Sequence, residues 1–287
     1  MSEQIDSALR WGSDRIGGLS ESPRLDAELL LAHCLDKPRS YLYSRPELTL
    51  SEACWEQFQA LIEQRLHPMP VAYLLGRREF YALEFAASPV ALIPRPETEL
   101  LIDRALALIP DDTPTRILDL GTGTGNIAIT LKRQRPMTRV SATDIDPDCL
   151  ALAQDNAARH QAEIDFIESD WYRNLVSAAE FDLIVSNPPY IAAGHPFMDQ
   201  GDLPAEPELA LSPGRSGLEA LEQIIGGAHA HLAGGGHLVL EHGYDQQTGV
   251  AQLLNAHGFG EIACSSDLND LPRVSQAKLI ENRRASA

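Results

Sequence analysis

From residue 116 to the end of the chain, short apolar runs alternate with segments of helical spacing, and this rhythm restricts the fold more than any other feature. Strands are expected at residues 116–120, 139–143, 164–167, 181–186 and 237–241, with shorter ones near 261–264 and 274–280. Helices are expected between the first five, at 127–133 and 147–160, weakly about Ser177, and at 218–230. Strand–helix–strand units join parallel strands by crossovers, so the chain reads as α/β with a doubly wound, mainly parallel seven-stranded sheet. In such a sheet ligands sit beyond the carboxyl ends of the strands, where neighbouring crossovers diverge. The residues that follow each strand therefore carry the functional reading.

The first strand runs into Asp119-Leu120-Gly121-Thr122-Gly123-Thr124-Gly125-Asn126. Glycines where a strand turns into a helix let a ligand approach a backbone whose N–H groups face it. Asn126 stands where a dinucleotide fingerprint needs its third glycine, and no Gly-Lys-Ser/Thr follows, so neither a nicotinamide site nor a phosphate loop fits. Asp144 ends the second strand, about 20 residues on, where a carboxylate accepts both hydroxyls of a ribose. Past the third strand, Asp170-Trp171 adds an acceptor for an exocyclic amine and a flat apolar surface. Together these acids and glycines describe an adenosine pocket without a diphosphate.

After the fourth strand comes Asn187-Pro188-Pro189-Tyr190, a rigid ledge with almost no backbone donors. Its chemistry is to accept hydrogen bonds. A planar NH₂ group is a poor nucleophile because its lone pair is delocalised, so it needs positioning more than deprotonation. The side-chain oxygen of Asn187 and the main-chain oxygen of Pro188 each take one N–H, Pro188 and Pro189 fix the turn, and Tyr190 packs on the planar group. No carboxylate base appears in the motif; the extra proton leaves after transfer, once the nitrogen is cationic.

Acidic residues outnumber basic ones by 41 to 23, a formal net charge of −18, which disfavours nucleic-acid phosphates as partners. The Pro- and Gly-rich stretch 191–215 sharpens this, with one Arg, no Lys, and Asp199, Asp202, Glu206 and Glu208. It is a poor surface for a DNA backbone or for a flipped base. The N-terminus has no basic-then-apolar leader and no apolar run reaches membrane-spanning length, so a cytoplasmic protein with no membrane partner is expected. Cys34, Cys54, Cys149 and Cys264 are far apart and read as buried free thiols. His229 and His231 read as surface residues at a helix end, and no metal site is expected.

Residues 1–74 show helical spacing, with Leu25, Leu29, Ala32 and Leu35 on one stripe and Trp55, Phe58, Ile62 and Leu66 on another, the second opened by a Ser51 cap and stopped by Pro68 and Pro70. A small all-helical domain is expected there. Residues 75–95 read as a linking hairpin built on Glu79-Phe80-Tyr81 and Leu83-Glu84-Phe85, with a break at Ser88-Pro89. From Pro96 a helix should run through Leu100 to Ile109 and open the catalytic domain, 96–287.

The order of Gly-rich loop, ribose acid and adenine-side acid resembles the class I S-adenosylmethionine-dependent methyltransferases. Asn-Pro-Pro-Tyr is shared by members that act on amino groups of adenine, cytosine and glutamine. The wider wording closely resembles the bacterial peptide chain release factor glutamine methyltransferases: Tyr73-Leu74-Leu75-Gly76, Ile93-Pro94-Arg95-Pro96-Glu97-Thr98-Glu99, Ile117 to Gly125, Ser186 to Tyr190, and Leu240-Glu241-His242-Gly243. That resemblance implies S-adenosylmethionine as cofactor and, as substrate, the glutamine side chain in the Gly-Gly-Gln loop of class 1 release factors, with the helical domain and hairpin receiving that protein. The alternatives are a ribosomal-protein glutamine methyltransferase, which the Arg95-Pro96-Glu97-Thr98-Glu99 wording disfavours, and a nucleic-acid adenine methyltransferase, which the charge balance opposes. It implies that Gly121, Thr122, Gly123, Thr124 and Gly125 approach the methionine and ribose, and that Asp144 holds the ribose. By the same resemblance Asp170 and Trp171 hold the adenine, Asp119 faces the methionine ammonium, and Phe80 and Arg95 line the site; Asn187, placed between the two ligands, is expected to touch the cofactor as well. The chain departs from the family around Asp267 to Arg273, where the usual Gly-containing turn is weak, and in a loose extension at 281–287.

Overall fold

The computed structural model describes residues 3–67, 69–176 and 180–280. The weak helix about Ser177, the helix stop at Pro68 and the extension at 281–287 lie outside the described residues. Two compact units make up the chain: Met1–Arg77 with Pro196–Glu206, and Arg78–His195 with Pro207–Ala287. The middle of the irregular stretch after the ledge thus belongs to the helical unit.

The helical unit contains α1 (Ile5–Ile16), α2 (Pro23–Leu35), α3 (Arg39–Ser44), α4 (Glu52–Arg65) and α5 (Val71–Leu75). Ser51 caps α4 by accepting the Cys54 N–H at 3.2 Å. Phe58 and Ile62 are fully buried, with Trp55 packed beside them. On α2 the expected stripe holds except at its start: Ala32 is buried and Leu29 and Leu35 pack against the core, while Ala27, Leu30 and Leu31 also face inward and Leu25 is 37% exposed. The helix is apolar around most of its circumference, so spacing alone does not single out its buried side. Arg65, only 5% exposed, pairs with Asp26 at 3.0 Å and with Asp202 at 2.8 Å, which ties segment 196–206 into this unit.

The hairpin is formed by β1 (Arg77–Phe80), all but its first residue in the second unit, and β2 (Leu83–Ala86). Tyr81 and Ala82 make its turn, both in the left-handed region with φ of 49° and 57°, the geometry whose twist matches two antiparallel strands. The Ser88-Pro89 break follows the second strand. Next come α6 (Thr98–Leu108), β3 (Arg116–Leu120), α7 (Asn126–Gln134), β4 (Arg139–Asp144), α8 (Pro147–Arg159), β5 (Ile164–Glu168) and β6 (Phe181–Ser186). The chain continues through α9 (Glu208–Leu211), α10 (Glu219–Ala228), β7 (Leu232–Glu241), α11 (Gln247–Ala256), β8 (Phe259–Ser266) and β9 (Pro272–Leu279). The seven-stranded sheet has the order β5-β4-β3-β6-β7-β9-β8, parallel except that β9 runs antiparallel between β7 and β8.

Alternation along the strands builds two cores, one on each sheet face. Ile117, Leu183, Val185 and Val239 pack into one with α6 and α7, while Leu118, Leu120, Ile184, Leu238 and Leu240 pack into the other with α10 and α11. Burial on both faces is why these strands read as nearly continuous apolar runs. Strand β7 begins at Leu232, earlier than the expected His237, because Gly234-Gly235-Gly236 carries no strand signal. Helix α11 was not expected at all. Its buried residues are only Val250 and Leu254, too narrow a stripe to read.

His231 is buried, not at the surface, with its ring stacked on Tyr172 at 4.7 Å. The Tyr172 hydroxyl donates to the Ile224 carbonyl at 2.9 Å, so the ring is held at both its face and its tip. A Cβ added to Gly227 would lie 2.5 Å from that ring. Gly227→Ala should gain up to about 1 kcal/mol of helix propensity against an overpacking cost of about 1–3 kcal/mol. The expected result is a net loss of stability, read as a lower denaturation midpoint at unchanged m-value.

Candidate active site

Crossovers diverge between β3 and β6, the strands that place the glycine loop and the ledge. Leu120 pairs with Ser186 in register, and the Ser186 hydroxyl donates to the Leu120 carbonyl at 2.7 Å, fixing the two strand ends together. Both ends open into one cavity of about 260 Å³. Gly121, Thr122, Gly123, Thr124, Asp144, Asp170, Trp171, Asn187, Pro189 and Arg95 line it, so most of the residues singled out from the sequence meet there.

The loop is held open from several sides. Gly121, Gly123 and Gly125 have φ of 70°, 54° and 80°, values that a side chain would strain. The Thr122 N–H donates to Thr143 O at 2.9 Å, and the Gly123 N–H to Asp144 Oδ2 at 2.8 Å. The Asp146 N–H donates to the other Asp144 oxygen at 3.0 Å. Burial pushes the Asp144 pKa up, while these N–H groups lower it, and each oxygen keeps a further lone pair. Trp171 stands beside the bare face of Gly121, where an added Cβ would meet its ring at 3.4 Å.

Five expected residues do not line the cavity. Asp119 lies beneath the loop, where it accepts the Thr122 hydroxyl at 2.6 Å; burial pushes it up to about 7, and its Oδ1 has no partner among the described residues. Gly125 begins α7, and a Cβ there would come within 2.9 Å of Ile129 and 3.1 Å of Ala153, so its bare face serves packing. Phe80 is 2% exposed and packs edge-on against Phe85 in the core, because the alternation of β1 turns it inward. Pro188 is buried in the turn of the ledge. Tyr190 points its hydroxyl at Glu241 Oε1, 3.3 Å away, and its carbonyl accepts from Gln246 Nε2 at 2.9 Å. It is an anchored part of the interior rather than a free stacking face.

Two residues enter that the sequence reading did not assign. The Asn187 amide nitrogen donates to the Thr98 hydroxyl at 3.0 Å, and Thr98 also lines the cavity. Beyond Thr98 is Glu241, at the end of β7, whose carboxyl group burial pushes up to about 7. An acid closing an apolar strand is the same signal that marked Asp144, and it was available at Glu241.

An adenosine with a short charged tail fits these donors and acceptors. A carboxylate with free lone pairs stands at one strand end, bare glycine backbone approaches from the next, and an indole closes the far side. Among the described residues no group of His, Cys, Asp and Glu is arranged to hold a metal ion, and no helix is long and apolar enough to cross a membrane.

Residues 7–76 match the family model of the PrmC N-terminal domain and residues 97–199 that of the methyltransferase small domain. A release factor glutamine methyltransferase from Xylella fastidiosa (strain Temecula1) is 46% identical over 253 residues, covering 88% of this chain and 92% of the relative. The chain belongs to the release factor glutamine methyltransferase family. Another member, from Escherichia coli (strain K12), is 42% identical over 258 residues, covering 89% of this chain and 92% of its own. The family resemblance drawn from the motifs therefore holds across nearly the whole chain. Among solved structures, the hMettl16 catalytic domain in complex with the MAT2A 3'UTR hairpin 6 shares the fold at TM-score 0.58, with 17% identity over 76% of this chain and 82% of that one. A methyltransferase from Pyrococcus furiosus does so at TM-score 0.54, with 16% identity over 77% and 98%.

Proposed function

We infer that this protein transfers the methyl group of S-adenosylmethionine to the side-chain amide nitrogen of the glutamine in the Gly-Gly-Gln loop of class 1 peptide chain release factors, and so tunes translation termination. The observation that carries this reading is the meeting of a ledge whose Asn187 amide nitrogen and Tyr190 hydroxyl are already engaged by Thr98 and Glu241 with an adenosine-shaped loop at one switch point, in a chain of this family. When bound, S-adenosylmethionine supplies an activated methyl group. Asp144 binds the ribose, Asp170 and Trp171 bracket the adenine, and Arg95 faces the cavity beside Asn187.

Asn187 Oδ1 accepts one N–H of the substrate amide, and although the Pro188 ring is buried in the turn, its main-chain carbonyl accepts the other. Each bond contributes about 0.5–1.5 kcal/mol to binding. Aiming the nitrogen is worth more, since a well-oriented pair gains several kcal/mol of effective molarity. Tyr190 stiffens the ledge from behind. The helical unit, with its own core, is the part of the chain available to receive the protein substrate.

Labelled cofactor should be offered with a release factor, with the same factor carrying Ala in place of the loop glutamine, with ribosomes and with DNA. Label is expected on the unaltered release factor alone. Label retained by the Ala variant, or found only on ribosomes or DNA, overturns the reading.

A further inference from the structure

An asparagine amide is nearly symmetric in shape, and nothing in Asn187-Pro188-Pro189-Tyr190 decides which end meets the substrate. The nitrogen end would set donors against donors. Asn187 Nδ2 lies 3.0 Å from Thr98 Oγ1, which leaves the oxygen as the end turned away from Thr98. A hydroxyl both donates and accepts, so Thr98 alone does not enforce this choice. Its neighbour does. The Thr98 hydroxyl faces the carboxylate of Glu241, and the Tyr190 hydroxyl reaches the same group at 3.3 Å. An ionised carboxylate only accepts, so both hydroxyl protons turn toward it and the Thr98 lone pairs are left for Asn187. Thr98 and Glu241 are each 1% exposed, which keeps water from competing at either link.

We propose that Thr98 and Glu241 are positioning residues that set the orientation of the Asn187 carboxamide, keeping its oxygen directed at the substrate nitrogen. The assignment rests on the methyl-transfer reading above. It also accounts for a feature that packing leaves unexplained: Glu241 is a buried acid with Oε2 unpartnered among the described residues, an arrangement that costs stability and persists where function requires it. The charges facing it are the Arg273 guanidinium from β9, which favours ionisation, and Glu97 beside α6, which opposes it; Tyr190 and Thr98 complete its surroundings.

The pH dependence has a definite sign. Burial raises the folded-state pKa of Glu241 from 4.5 to about 7. Below that pH the protonated carboxyl becomes a donor, the Thr98 proton is free to turn toward Asn187, and the orientation is lost, so kcat should fall as pH drops through about 7. For stability the sign is opposite. The folded state holds this proton more tightly than the unfolded chain, so Glu241 destabilises the fold increasingly as pH rises from about 4.5 to about 7.

The test compares wild type with Glu241→Gln, Thr98→Val and Thr98→Ser on a release-factor substrate across this pH range, with cofactor affinity and thermal midpoint measured alongside. Glu241→Gln is expected to lower kcat about tenfold, the equivalent of one lost hydrogen bond, to flatten the pH profile near 7, to leave cofactor affinity unchanged, and to melt at or above wild type at pH 8. Thr98→Val should show the same loss of kcat, and Thr98→Ser, which keeps the hydroxyl, should remain within about twofold of wild type by the same reckoning. With wild type active, full kcat and an unchanged pH profile in Glu241→Gln, or full kcat in Thr98→Val, would overturn the proposal. A wild type that fails to methylate release factors contradicts the functional reading instead, so the two failures are distinct.

Discussion

Asn187→Ala should reduce kcat by about 10³-fold while the affinity for S-adenosylmethionine changes by less than about threefold. Removing one preorganised group that faces the reacting centre costs about 10²–10³ in rate in well-studied sites, and in the proposed mechanism the same group also aims the nucleophile. A misplacement of about 1 Å is worth a further 10²-fold on its own. The cofactor contacts proposed for Asp144, Asp170, Trp171 and the glycine loop are untouched by the change. Asn187 is half-buried with its nitrogen on Thr98, so the alanine leaves one buried hydroxyl without its donor, a small cost to folding. The check is single-turnover kinetics beside equilibrium cofactor binding. Unchanged turnover refutes the role of the ledge, and a parallel collapse of cofactor binding would mean that Asn187 serves the cofactor rather than the substrate.

Asp144→Ala should have the opposite signature. Two hydrogen bonds to a charged acceptor, at about 1.5–3 kcal/mol each, disappear if Asp144 holds the ribose, so the cofactor Kd should rise by at least about 10²-fold. The same carboxylate fixes the Gly123 and Asp146 N–H groups from within the protein. The alanine therefore also loosens the loop. Asp144→Asn keeps one acceptor oxygen and should fall between the two. Calorimetric titration with the cofactor separates the three proteins, and once the cofactor is saturating kcat should recover to near wild type in Asp144→Asn. Wild-type affinity in Asp144→Ala would remove Asp144 from the site.

Much of this site was legible because strand ends are where both the sequence signal and the chemistry concentrate. Asp144, Asp170 and Asn187 each follow an apolar run, and in a doubly wound sheet all such ends share one edge. The glycine loop was legible for the same reason. What stayed hidden depends on contacts between segments remote in sequence. Thr98 reads as ordinary helix-start chemistry until Asn187, 89 positions away, is found donating to it. Phe80 carries family wording, yet it is the pleat of a four-residue strand that turns it into the core. Tyr190 belongs to the ledge by sequence, but Glu241 and Gln246 draw it inward. Elements were missed where local signals were diluted, as in the three glycines inside β7 and the two buried residues of α11. Segment 196–206 could not be assigned to the helical unit from composition, because the pairing of Asp202 with Arg65 is a tertiary event.

Tandem mass spectrometry of a release factor incubated with the enzyme and S-adenosylmethionine decides whether the ledge presents a glutamine amide nitrogen for methylation. A single added methyl is expected on the side chain of the glutamine in the Gly-Gly-Gln loop, absent when Asn187→Ala replaces the wild-type enzyme. A methyl on any other residue of the factor, or the same modification made undiminished by Asn187→Ala, would contradict it.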